Sequence, residues 1–196
     1  VEATMNQVVL VIPAYNPSTE LLQVVKKCSE FLDYIVIIDD GSRSEFQKVF
    51  NEIRKNSYRA QVHILQHAIN CGKGAALKTG LNFALTTFLN LKGILTADAD
   101  GQHTAEDIKK LAEAWKSTPD KLALGVRTFS SDVPLRSRFG NILTKIIFRF
   151  GTGVAIQDTQ TGLRIIPKQF ARESLRTKNN GYEFEMDMLF AATQKA

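Results

Sequence analysis

Val8-Val9-Leu10-Val11-Ile12-Pro13-Ala14-Tyr15-Asn16-Pro17 is the stretch that decides the architecture of this chain. Five consecutive apolar residues, four of them β-branched, show no polar alternation. A strand built from them is buried on both faces, as in a parallel sheet covered by helices on each side. Pro13 lacks the amide needed to extend the ladder and stops the run. Asn16 then reads as a helix cap and Pro17 as a first-turn residue, and Leu21, Val25, Cys28 and Leu32 recur at helical spacing. The first unit is a strand followed by an amphipathic helix.

The same unit repeats. Tyr34 to Ile38 is a second buried strand ending in Asp39-Asp40-Gly41-Ser42, with Phe46, Val49, Phe50 and Ile53 on the helix that follows. Val62 to Leu65 is a third, leading through Asn70-Cys71-Gly72-Lys73-Gly74 to a helix with Leu77, Leu81, Ala84, Leu85 and Phe88 inward. Gly93 to Ala97 is the fourth strand. Thr104 caps the next helix with Asp107 in the capping-box position, and Ile108, Leu111, Ala112 and Trp115 form its buried stripe. A fifth strand is expected at Lys121 to Val126. Beyond Ser130 the alternation loosens into a Pro134 loop, a helix over Ser137 to Phe150 and a Gly151/Gly153 break. Such repeats imply an α/β fold with a doubly wound, mainly parallel sheet whose ligands bind beyond the carboxyl ends of the strands.

The chain has 196 residues, 44% of them hydrophobic, enough for one core, and a single domain over 1–196 is expected. No stretch approaches the ~20 apolar residues of a membrane span. Met5 reads as a natural start behind a short added tail, Val1 to Thr4. Helical patterning from Met186 to Ala196 fits a catalytic part of something longer. Cys28 and Cys71 lie far apart, which suggests neither a disulfide framework nor a zinc site and suits a reducing cytosol. Charge is uneven: Lys121 to Lys178 holds eleven Lys and Arg against three acids, +8 against −3 for the remainder. An anionic partner for that segment, whether phosphate, nucleic acid or lipid surface, is one reading; a solvated surface is the other.

Asp98 and Asp100, in Ile94-Leu95-Thr96-Ala97-Asp98-Ala99-Asp100-Gly101-Gln102-His103, sit where the fourth strand meets a turn. Residues two apart on a strand point the same way, so both carboxylates project together past its end. Such a pair resists joint ionisation unless a divalent cation stabilises it, and that cation can also take phosphate oxygens. An acidic turn facing water is the plainer alternative.

Together, Val11-Ile12-Pro13-Ala14-Tyr15-Asn16, Ile38-Asp39-Asp40-Gly41-Ser42, Gly72-Lys73-Gly74-Ala75-Ala76-Leu77 and Asp98-Ala99-Asp100-Gly101-Gln102-His103 resemble the ordered motifs of family 2 glycosyltransferases. Asp158-Thr159-Gln160-Thr161-Gly162-Leu163-Arg164 resembles their polyprenyl-phosphate branch. The resemblance implies a glycosyltransferase A-type, Rossmann-like fold, a nucleoside-diphosphate sugar donor such as a UDP- or GDP-hexose, and inversion at the anomeric carbon. It further implies Mg²⁺ or Mn²⁺ on Asp98, Asp100 and Gln102. Pro13, Ala14, Tyr15, Asp39 or Asp40, Lys73 and Ala99 would line the donor. Pro17 stands where the family often has an acidic residue near the nucleotide, so the base is left open. Gly72-Lys73-Gly74 is not a P-loop, because Gly74 occupies the place of the magnesium-binding hydroxyl.

Arg127, Arg136 and Arg138 resemble the arginines that grip lipid-linked phosphate, for which guanidinium forks are suited. Asp158 is expected to orient the acceptor, or to act as base if the acceptor is a hydroxyl; Glu185 is a weaker candidate for that base. Arg164 either pairs with Asp158 or reaches phosphate. Ile142, Leu143, Ile146, Ile147 and Phe150, flanked by Lys145 and Arg149, form a stripe that suits core packing or a membrane surface. His63 and His67 receive no role. The expectation is hexose transfer to a polyprenyl phosphate at the inner face of the cell membrane, with no nucleic-acid partner. A saccharide acceptor is the near alternative, and a non-catalytic nucleotide or nucleic-acid binder the distant one.

Overall fold

The computed structural model describes residues 7–125 and 161–194. In chain order these form β1 (Val8–Ala14), α1 (Glu20–Cys28), β2 (Tyr34–Asp39), a 3-10 turn (Ser44–Phe46), α2 (Gln47–Lys55), β3 (Gln61–Gln66) and α3 (Lys73–Thr87). There follow β4 (Gly93–Thr96), α4 (Ala105–Trp115), β5 (Ala123–Leu124), β6 (Arg164–Pro167), α5 (Lys168–Ser174) and α6 (Glu183–Thr193). One six-stranded sheet runs β3-β2-β1-β4-β6-β5. Its first three pairings are parallel, and β6 runs antiparallel to both β4 and β5.

Strand alternation divides the core in two. Leu10, Ile12, Ile35 and Ile37 face α1, α2 and α4, whereas Val9, Val11, Val36 and Ile38 face α3, α5 and α6. Both faces of β1 are buried, as its unbroken apolar run requires. Burial of each such aliphatic side chain contributes about 1.5–3 kcal/mol, so the sheet's centre is its stable part.

The helix expected after Thr104 has its capping box: Asp107 N donates to Thr104 Oγ1 at 3.1 Å and Thr104 N donates to Asp107 Oδ2 at 3.2 Å. Two expectations need correction. Helix α1 starts at Glu20, with Thr19 at its cap, so Asn16 and Pro17 lie outside it. Asn16 instead adopts φ 50°, which asparagine tolerates, and ties two turns together. Its N donates to Ser42 Oγ at 2.9 Å, and its Oδ1 accepts from Arg43 N at 3.0 Å. The fifth strand, among the described residues, is only Ala123–Leu124 and sits at the sheet edge. The place beside β4 is taken by β6, whose apolar content is too short to announce itself.

Candidate active site

A cleft of about 560 Å³ opens beyond the carboxyl ends of β1, β2 and β4. Pro13 to Ser18 line it from the end of β1, Asp40 from β2, Asn70, Gly72, Lys73 and Ala76 from the start of α3, Asp98 to Asp100 from β4, and Tyr182 from the start of α6. Parallel strands ending at one level bring these turns together.

The two aspartates after β2 part company. Asp39 is fully buried, and its carboxylate accepts from Ser42 N at 2.8 Å and Gln47 Nε2 at 2.7 Å, bracing the turn into α2. Asp40 faces the cleft. Its Oδ1 accepts from Cys71 N at 2.9 Å and Oδ2 from Gly72 N at 2.9 Å, so it anchors the loop before α3. His67 Nδ1 lies 2.7 Å from Asp40 Oδ1, and Nε2 lies 2.9 Å from Thr79 Oγ1. An ionised carboxylate only accepts, so Nδ1 donates; in the neutral ring Nε2 then accepts from the threonine hydroxyl. Ligand atoms of Asp40, His67 and Cys71 lie within 4.8 Å of one another, a spacing compatible with a cation. Protein hydrogen bonds already satisfy both Asp40 oxygens and both His67 nitrogens.

The start of α3 is held by the chain before α6. Gly72 has φ 95°, and a β-carbon on Gly74 would lie 2.5 Å from Gly181 O. Ala75 N donates to Asn180 O at 2.9 Å, and Lys78 Nζ donates to Thr177 O and Asn180 Oδ1, each at 2.7 Å. Gly74 therefore admits a backbone neighbour.

Charges alternate inward from the cleft. Lys73 Nζ lies 2.7 Å from Asp98 Oδ1 and 3.0 Å from Glu185 Oε2. Glu185 Oε1 lies 3.4 Å from Arg164 Nη2. Arg164, 1% exposed, also donates through Nη1 to Glu185 O at 2.8 Å and through Nε to Thr161 O at 2.9 Å. Burial works to lower the Lys73 pKa, but the pull of Glu185 and Asp98 and their hydrogen bonds outweigh it, and the pKa is raised. Gly162 packs directly on the Asp98 carboxylate, where a β-carbon would overlap Oδ2, and Thr96 Oγ1 donates to Gly162 O at 2.8 Å. Asp100 is exposed, and its Oδ1 accepts from Gln102 N at 3.0 Å.

The model of Glycosyl transferase family 2 matches residues 9–175. This chain belongs to glycosyltransferase family 2. The family 2 domain is 31% identical over 188 residues to UDP-N-acetylglucosamine–dolichyl-phosphate N-acetylglucosaminyltransferase of Methanococcus voltae, covering 86% of this chain and 74% of that protein. It is 28% identical over 216 residues to dolichyl-phosphate beta-glucosyltransferase of Saccharomyces cerevisiae, covering 95% of this chain and 62% of the relative. These relatives are of the polyprenyl-phosphate branch. Among solved structures, a mannosyltransferase of Pyrobaculum calidifontis in complex with GDP-Man and Mn²⁺ superposes with a TM-score of 0.58 at 14% identity. That match covers 97% of this chain and 54% of that one, and it establishes the glycosyltransferase A-type fold.

Of the residues singled out in the sequence, the family 2 domain brings Pro13, Ala14, Tyr15, Asp40, Lys73, Asp98, Ala99 and Asp100 to one cleft. Asp39 is buried behind it, Gln102 is not among the lining residues, and Glu185 lies behind Lys73. Arg127, Arg136, Arg138 and Asp158 lie outside the described residues, as does the 142–150 stripe. Sequence reasoning passed over His67 and Tyr182. The parallel pairing of Asp39 with Gln66 carries the signal for the first, because the next residues on the two strands are Asp40 and His67.

Proposed function

We propose that this glycosyltransferase moves a hexose from a nucleoside-diphosphate sugar to a polyprenyl phosphate, with inversion and with a divalent cation at Asp98 and Asp100. The observation that carries the reading is the meeting, in one cleft, of two carboxylates past β4 with Asp40 past β2 and Lys73 at the start of α3. The named relatives, which act on dolichyl phosphate, support the acceptor class.

The donor set fits Mg²⁺ or Mn²⁺: both carboxylates offer hard oxygens to an open cleft, and an ammonium already stands against Asp98. When bound, the cation would neutralise charge on the departing diphosphate. Ala14 and Tyr15 line the base or ribose, and Asp40, whose oxygens hold the Cys71 and Gly72 amides, fixes the loop beside them. Lys73 supplies positive charge to the diphosphate. A phosphate monoester has a second pKa of about 6, so the acceptor arrives ionised and requires no strong base. The position of Glu185 supports this, because its two oxygens face Lys73 and Arg164 and it does not line the cleft. Arg127, Arg136 and Arg138 grip the acceptor phosphate and Asp158 orients it. Residues 1–196 form one catalytic domain working at the inner face of the cell membrane. Among the described residues no helix is long and apolar enough to cross a membrane.

Radiolabel transfer from UDP- and GDP-hexoses to polyprenyl phosphate tests the reading. Labelled lipid from one donor, dependent on Mg²⁺ or Mn²⁺ and lost in Asp98→Asn, is expected. Label found only on sugar or protein hydroxyls refutes the acceptor assignment.

A further inference from the structure

Asp98, Lys73, Glu185 and Arg164 form a chain of alternating charge whose outermost carboxylate is the one proposed to hold the cation. That carboxylate is already engaged. Lys73 Nζ takes Oδ1 at 2.7 Å, and Gly162 packs against both carboxylate oxygens. A divalent cation arriving at Asp98 by itself therefore meets a like charge on the same oxygen. Glu185 holds the lysine at 3.0 Å from within, and the Tyr182 ring lies 5.8 Å from Nζ. Lys73 nevertheless lines the cleft, so its ammonium can turn toward a ligand there without losing Glu185.

We propose that Lys73 is a place-holder for the cation on Asp98, displaced onto the donor diphosphate when metal and nucleotide enter together. The inference rests on the donor-site reading above and adds an order to it. The cation alone must expel an ammonium that keeps Glu185 but gains no second anion in place of Asp98. With a diphosphate in the cleft, the phosphate oxygens take the ammonium and Asp98 is released to the metal. Cation and nucleotide thus favour one another, and the coupling is reciprocal. Glu185, fixed by Arg164, is the positioning residue that keeps the displaced lysine at the cleft wall.

Calorimetric titration of Mn²⁺, alone and with saturating UDP or GDP, tests this on the native chain and on Lys73→Met, Lys73→Arg and Asp98→Asn. The native chain should bind Mn²⁺ at least about fivefold more tightly with nucleotide than without. Lys73→Met should bind Mn²⁺ alone more tightly than the native chain by a similar factor, with the nucleotide's effect on Mn²⁺ reduced. Lys73→Arg keeps the charge and should behave as native, and Asp98→Asn should lose Mn²⁺ binding. Thermal melting reports whether each variant is folded, and Lys73→Gln replaces Lys73→Met if the latter is not. If the native chain binds Mn²⁺ with nucleotide but removal of the lysine charge leaves binding of Mn²⁺ alone unchanged or weaker, the place-holder role is overturned and the donor site stands. If the native chain binds Mn²⁺ with neither nucleotide, the metal-bearing donor site is wrong and the place-holder falls with it.

Discussion

At Gly162 a β-carbon would overlap Asp98 Oδ2, so an alanine there must push the carboxylate or the backbone aside. We expect Gly162→Ala to cost about 1–3 kcal/mol of stability. Its transfer rate should fall by about a hundredfold, because displacing a catalytic group by about 1 Å is that damaging. Steady-state kinetics beside urea denaturation would show whether activity falls further than stability explains. The cysteines give a second expectation. Cys28 is fully buried and its thiol is pushed up to about 12, whereas Cys71 is exposed. A maleimide at pH 8 should label Cys71 alone in the native protein and both after unfolding, as mass spectrometry would read. At this scale the sequence was legible in part. It identified the Asp-Asp pair but not which member faces the cleft, since strand parity at the very end of β2 depends on how the turn leaves it. His67 was passed over because its partner lies 27 residues away in sequence and meets it only through strand register.

Helix α6 belongs to the site through Glu185, which is buried between Lys73 and Arg164. Removing one member of such a group leaves a charge without its partner in the interior. Glu185→Ala should therefore destabilise the protein by about 3–5 kcal/mol, read as a lower urea midpoint. If the midpoint does not move, the buried chain of charges is not what holds α6 to α3. Most elements were readable from their periodicity, including the capping box of α4. Two were not. The turn after β1 looked like a helix start because Asn and Pro favour both settings, and only contact with Ser42 and Arg43 shows which applies. Strand β6 was hidden because two isoleucines between Arg164 and Pro167 carry no period.

For the molecule as a whole, β-α alternation located the cleft in advance, because parallel strands deliver their turns to one edge of the sheet. The line from Asp98 to Arg164 was not legible, since its four residues are brought together from β4, α3, α6 and β6 by packing alone. It also has a pH consequence. The Lys73 pKa is raised on folding, so the stability this group contributes is fully present below the ordinary lysine value of 10.5 and is lost as pH rises through the raised one. Native protein and Lys73→Met should differ in stability by a constant amount from neutral pH to about pH 10, then converge above it. Chemical denaturation across that range would show this, and a difference that instead shrinks toward acid would contradict it. The measurement closest to the central claim is hexose transfer from the preferred donor to polyprenyl phosphate, run beside the same polyprenol without its phosphate. The account predicts labelled lipid from the phosphate alone. Equal labelling of the alcohol, or label confined to a saccharide acceptor, would contradict it.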